Sequence, residues 1–112
     1  MAIQVTGFFP NPNNETYVKD AVITLNIRQV PMGKLSVDCN LCVVKEVTNP
    51  GNVTSTQLMP VSMFGVNDID RTSLTFTPTG DPYEDLLTSV QDYLINHFET
   101  ENPDLTFSVY GA

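Results

Sequence analysis

The strongest constraint on this fold is a single helix signal that falls late in a chain otherwise patterned as β. Asp81 is placed as an N-cap, Pro82 follows at the first helical position, and Glu84 stands three residues after the cap, as in a capping box. Tyr83, Leu86, Leu87, Val90, Leu94 and then His97 or Phe98 recur at i, i+3, i+4, i+7 spacing, which is one apolar stripe of an α-helix. Asn102-Pro103 ends the run, so the helix is expected over about residues 82–99. A lone helix of this length is marginal in water, so its stripe needs an apolar sheet to lie on.

The rest of the chain supplies that sheet. Ile3-Gln-Val-Thr-Gly-Phe-Phe is a strand candidate with Gly7 as a bulge, followed by the turn-forming loop Pro10-Asn-Pro-Asn-Asn. Ala21–Val30 alternates, with Ile23, Leu25 and Ile27 on one face. Pro31-Met-Gly-Lys reads as a turn, and Leu35–Val47 alternates again, so residues 21–47 form a hairpin. Asn49-Pro-Gly-Asn is a second turn. Val53–Val66 reads as β, with Pro60 either confining it to an edge or splitting it in two. Asn67–Arg71 reads as a loop, Thr72–Thr77 as a short strand with Leu74 and Phe76 inward, and Leu105–Tyr110 as a final strand.

This order predicts an α+β fold over residues 1–112 as a single domain. It is a mainly antiparallel β-sheet, sandwich or small barrel, of five to seven strands with one helix packed on it. The expected core is Ile23, Leu25, Ile27, Val37, Cys39, Leu41, Leu74, Phe76, Leu87, Val90 and Leu94. The chain's 112 residues suffice for one such core and hardly for two.

Charge narrows the function classes. With 5 Lys+Arg against 13 Asp+Glu the net charge is −8, which argues against nucleic-acid binding through phosphate neutralisation and against electrostatic attachment to anionic membranes. The excess is unevenly placed. Residues 1–71 hold all five basic side chains and six acidic ones, while residues 72–112 hold seven acidic side chains and no Lys or Arg. Glu84, Asp85, Asp92, Glu99 and Glu101 are thus the candidate acidic face, on the helix and its end, and the near-neutral Thr/Asn-rich β portion is the expected contact surface. No apolar run approaches the ~18–20 residues of a membrane span, and the start lacks the basic and apolar regions of a signal peptide. Folding in the cytoplasm is expected, with Asn14-Glu15-Thr16 and Asn52-Val53-Thr54 serving as turns rather than glycosylation sites.

Residues that could carry chemistry are few. Cys39 and Cys42 form a Cys-x-x-Cys inside an alternating strand, where no helix N-terminus lowers a thiol pKa and the two side chains point to opposite faces. Two reduced, structural thiols are expected, with Cys39 in the core. His97 is the only histidine, so zinc lacks a ligand set and a nucleophilic triad lacks all but one base; a packing role on the helix is expected. Asp68-x-Asp70 has neither the Gly nor the distal Glu of an EF-hand loop and reads as a turn. No Gly-rich phosphate loop is present. No catalytic, cofactor-binding or metal residues are assigned, and the chain reads as a non-enzymatic interaction protein.

The opening Met-Ala-Ile-Gln-Val-Thr-Gly-Phe-Phe, followed by an Asn/Pro loop, resembles the start of small virion proteins of tailed bacteriophages. The likeness covers the N-terminal dozen residues and is compositional elsewhere. It implies a structural subunit of the tail, baseplate or neck, assembled in the host cytoplasm into the virion, with other virion proteins and further copies of itself as partners. It also implies that edge strands and the Ile3–Phe9 segment pair with neighbouring subunits, which makes Ile3, Val5, Phe8 and Phe9 the candidate contacts. An acidic surface lining a channel would let DNA pass without sticking. The competing reading, drawn from the charge split, is a phage-encoded inhibitor whose acidic helix face mimics DNA and occupies a basic host protein.

Overall fold

The computed structural model describes residues 2–29 and 34–110. The turn expected at Pro31–Lys34 therefore lies, apart from Lys34, outside the described residues. Seven strands and one long helix follow in the order β1 (Ala2–Thr6), β2 (Phe8–Pro10), β3 (Tyr17–Lys19), β4 (Val22–Gln29), β5 (Lys34–Thr48), β6 (Thr54–Asp70), α1 (Pro82–Glu101) and β7 (Thr106–Val109). The main sheet has five strands in the order β6-β5-β4-β1-β7, all pairs antiparallel, and β2 and β3 form a separate two-stranded ribbon. The expected mainly antiparallel sheet with one helix is what folds. It does not close into a barrel, because β6 and β7 are left as open edges at opposite ends.

The N-terminal segment splits into β1 and β2 at Gly7. Its φ of +112° is open to glycine, and a Cβ there would stand 2.7 Å from Leu105 Cδ2. The chain turns out of the main sheet at this point, and the β2–β3 ribbon folds Phe9 and Val18 onto the core. Phe9, Phe64, Phe98 and Phe107 meet there with ring centroids 5.8–6.2 Å apart, mostly edge to face.

Asp81 caps α1: its Oδ1 accepts from the Tyr83 and Glu84 N–H groups at 3.1 and 3.3 Å. The second half of the capping arrangement differs from expectation. Asp85, not Glu84, reaches back, accepting from the Thr79 N–H at 3.1 Å and the Thr79 hydroxyl at 2.6 Å. The helix ends at Asn102, whose N–H donates to the Phe98 carbonyl at 2.8 Å. Val90, Leu94 and Phe98 form its buried stripe, and Tyr83, expected there, is 67% exposed. Gln91 Nε2 donates to the Ala2 carbonyl at 2.7 Å and ties the helix to β1. Full burial of Leu94 alone is worth about 1.5–3 kcal/mol relative to exposure, so this stripe, rather than propensity, holds the helix.

Of the two alternatives for Val53–Val66, the edge strand holds, and two expectations beyond it are corrected. The strand continues through the expected loop at Asn67 to Asp70 because Ile69 is buried opposite Leu35. Pro60 is accommodated by a bulge: Leu41 faces Ser62, the next residue Cys42 faces Pro60, and Val61 is the extra residue. Thr72–Thr77 is not a strand. The Asp70 side chain accepts from the Thr72 N–H at 3.1 Å and folds Arg71–Ser73 into a 3₁₀ turn. Beyond it Leu74 is buried but Phe76 is 48% exposed. Leu25, Ile27 and Leu87, expected in the core, are half-buried; Leu25 and Ile27 pack at its margin, as does Leu86.

The sheet is uneven in length. β4 pairs with β5 only as far as Val22–Cys42, whereas β5 and β6 stay paired to Thr48–Thr54. From Val43 outward the β5–β6 hairpin is therefore a two-stranded arm of about 20 Å at the rise of a β-strand. The overall dimensions reflect it: 49 × 36 × 25 Å with a radius of gyration of 15.4 Å, against about 13 Å for a compact chain of this length.

Candidate functional site

Three surfaces come into question, and the structure treats them differently. The N-terminal candidates divide. Ile3 and Val5 are fully buried and Phe9 nearly so, all three inside the molecule's own core. β1 lies between β4 and β7, so its peptide groups are already paired on both sides. Ile3, Val5 and Phe9 are thus corrected from contact residues to core residues; alternation on a strand marks a buried face but does not say whether the cover is intramolecular. Phe8 alone of the four is exposed, with Lys19 Nζ 5.9 Å from its ring centroid.

The acidic candidates lie on α1 as expected, but not as one row. At 3.6 residues per turn Glu84, Asp85, Asp92 and Glu99 share an arc of about 100°, and Glu101 falls outside it. Glu101 instead stands 3.5 Å from His97 Nε2 one turn earlier. Asp85 is engaged by Thr79, so the freely solvated carboxylates of the arc are Glu84, Asp92 and Glu99. The extended stretch after the 3₁₀ turn runs alongside, and Thr75, Thr77 and Thr79 line a cleft with Glu84, Asp85 and Asp92.

The third surface is the arm and the outer edge of β6. From Val47 to Asn67 the chain carries no charged residue, an unusual gap in a protein of net charge −8. Apolar side chains stand in water along the arm and the β6 edge: Val44, Val53, Met59, Val61 and Met63 are all exposed. The tip is well built. Asn49 Oδ1 accepts from the Gly51 and Val53 N–H groups at 3.0 Å, and the Thr48 and Thr54 hydroxyls bond across the ribbon at 3.0 Å. Further along β6, Asn13 from the β2–β3 loop covers the edge: its Nδ2 donates to the Met63 carbonyl at 2.8 Å and to the Ser62 hydroxyl. The sequence signals for this surface are the Asn49-Pro-Gly-Asn turn and the uncharged run after it; alternation alone did not reveal that β5 outlasts β4.

The residues considered for chemistry sit in structural settings. Cys39 and Cys42 are free and buried. Burial, with a smaller contribution from the Asp38 charge, pushes the Cys39 thiol up to about 12, so it is protonated at neutral pH and neither a nucleophile nor a metal ligand there. Asp38 is itself held by a two-pronged bond from Arg28, at 2.7 Å from Nε and 2.9 Å from Nη2, on the face of the sheet away from the helix. His97 stacks on Tyr93 with centroids 6.4 Å apart and meets Phe98 edge-on. Asp68 takes a φ of +58° near the end of β6, and Asp70 is used as the cap described above. Among the described residues no group of His, Cys, Asp and Glu is arranged to hold a metal, and no helix is long and apolar enough to cross a membrane. Comparison with protein-family models, with curated proteins and with solved structures gives no match.

Proposed function

We propose that this chain is a non-enzymatic structural subunit of a tailed-phage particle, a tail, baseplate or neck component that acts through protein–protein contacts in a homo- or hetero-oligomer. The observation that supports this reading is the β5–β6 arm, whose outer strand is uncharged and which projects from an open sheet with apolar side chains and one strand edge exposed. Long open edges are normally blunted in free-standing proteins, because they template pairing with other chains. A surface of this kind suits a protein that is stored and used in an assembly. The acidic arc of α1 lies on a different element and stays hydrated, or faces DNA it must not bind.

The test is mass spectrometry of purified particles from the source genome, together with light scattering of the isolated protein. Stoichiometric presence in the particle is the expected result. Absence from particles, with a small soluble species that captures a basic host protein, would replace this reading with the inhibitor reading.

A further inference from the structure

We propose that β6 pairs with β6 of a second copy of this chain, antiparallel across a two-fold axis, through Thr54–Met59. The inference rests on the assembly reading above and names its first contact.

The sheet offers two edges, and they are not equivalent. β7 has only four residues, Thr106–Val109, and begins two residues after Asp104. β6 runs from Thr54 to Asp70, and among the described residues β5 is its single strand neighbour. Not all of β6 is open to a newcomer. Asn13 occupies Ser62 and Met63, and Pro60 has no N–H to give. The open stretch is Thr54-Ser-Thr-Gln-Leu-Met, which is the outer strand of the arm.

The arm is also the place where the fold is incomplete. Beyond Val43 it has only two strands, and a two-stranded ribbon is marginal in water unless further strands or a packed face support it. Pairing with an identical ribbon makes four strands, and satisfies the peptide groups that face outward from both.

Charge selects the second copy over another occupant. Two chains of net charge −8 repel one another over most of their surfaces. In a two-fold strand pair, identical or nearby residues face each other, and like charges directly opposite are destabilising. Thr54–Met59 contains no charge, so no like-charged side chains meet between the two β6 strands. A basic partner would be drawn to Glu84, Asp92 and Glu99 on α1 instead.

The experiment uses the full chain and two double variants, Thr56→Lys with Gln57→Lys, and Thr56→Glu with Gln57→Glu. Both positions are exposed on the arm, and within the hairpin Thr56 faces Glu46 and Gln57 faces Lys45. Each variant therefore gains one opposite-charge and one like-charge pair, and circular dichroism and melting temperature should stay close to the parent's. Light scattering should show that the parent's mass falls at least twofold in either variant alone, because like charges now meet at the axis. An equimolar mixture of the two should recover the paired mass. A parent that is a single chain at every concentration overturns the inference, and so do folded variants that keep the parent's mass. In that last case the chain assembles through another surface, and the subunit reading stands or falls separately on whether the protein is found in particles.

Discussion

Gly7 and Asp20, thirteen residues apart, hold each other's backbone. The Gly7 N–H donates to Asp20 Oδ1 at 3.0 Å, and the Asp20 N–H donates to the Gly7 carbonyl at 2.8 Å. Both residues have positive φ, +112° and +49°. Together they turn the chain out of the main sheet into the β2–β3 ribbon and back, which delivers Phe9 and Val18 to the core and Asn13 to the edge of β6.

This corner predicts an asymmetric mutational response. Gly7→Ala must absorb both an unfavourable φ and a Cβ 2.7 Å from Leu105, so a loss of about 1–3 kcal/mol is expected in urea unfolding. Asp20→Asn keeps an acceptor and should cost less than Asp20→Ala. Equal costs for the two Asp20 variants would show that the side-chain bond contributes nothing.

At the start of α1, Asp81→Ala removes the acceptor for two N–H groups and should cost about 0.5–2 kcal/mol. Pro82→Ala should be mild, since the first helical N–H has no intrahelical partner in any case. The check is the melting temperature of each variant. An unchanged value for Asp81→Ala would mean that the helix does not depend on this cap.

The Cys39 thiol gives the protein an alkaline limit. Its pKa is about 12 in the folded chain against an ordinary value of 9.0, so the folded state favours the protonated form. The stability this contributes is fully present below pH 9.0 and is lost as pH rises towards about 12, because the unfolded chain releases the proton first. Urea midpoints measured from pH 8 upward should fall more steeply for the parent than for Cys39→Ala. Alkylation of Cys39 should be slow until the chain unfolds.

Asp70 behaves in the opposite sense. The Thr72 N–H and hydroxyl, with a smaller effect from Lys34, hold its carboxyl below the usual carboxylate range. Its contribution is present above the ordinary carboxylate pKa and is lost as pH falls through the depressed folded value, and full exposure keeps it small. An NMR titration should place the Asp70 midpoint lower in the parent than in Thr72→Ala. Coincident midpoints would remove the hydroxyl from the account.

The sequence by itself determined the elements whose signals are local. Asp81 and Pro82 mark the start of α1 because capping involves only the first turn, and Asn102-Pro103 marks its end because proline restricts its own neighbour. Alternation located β4 and β5, and the charge split located the acidic arc, since both are one-dimensional patterns. Tertiary structure decided what covers what. Ile3, Val5 and Phe9 carry the same pattern whether a neighbour or the chain's own helix buries them; α1, the ribbon and Phe107 supply the cover here. Likewise no local pattern states that β4 stops at Val22 while β5 runs on to Thr48. The exposed arm follows from that difference in strand length, which is a property of pairing between distant segments and not of either strand alone.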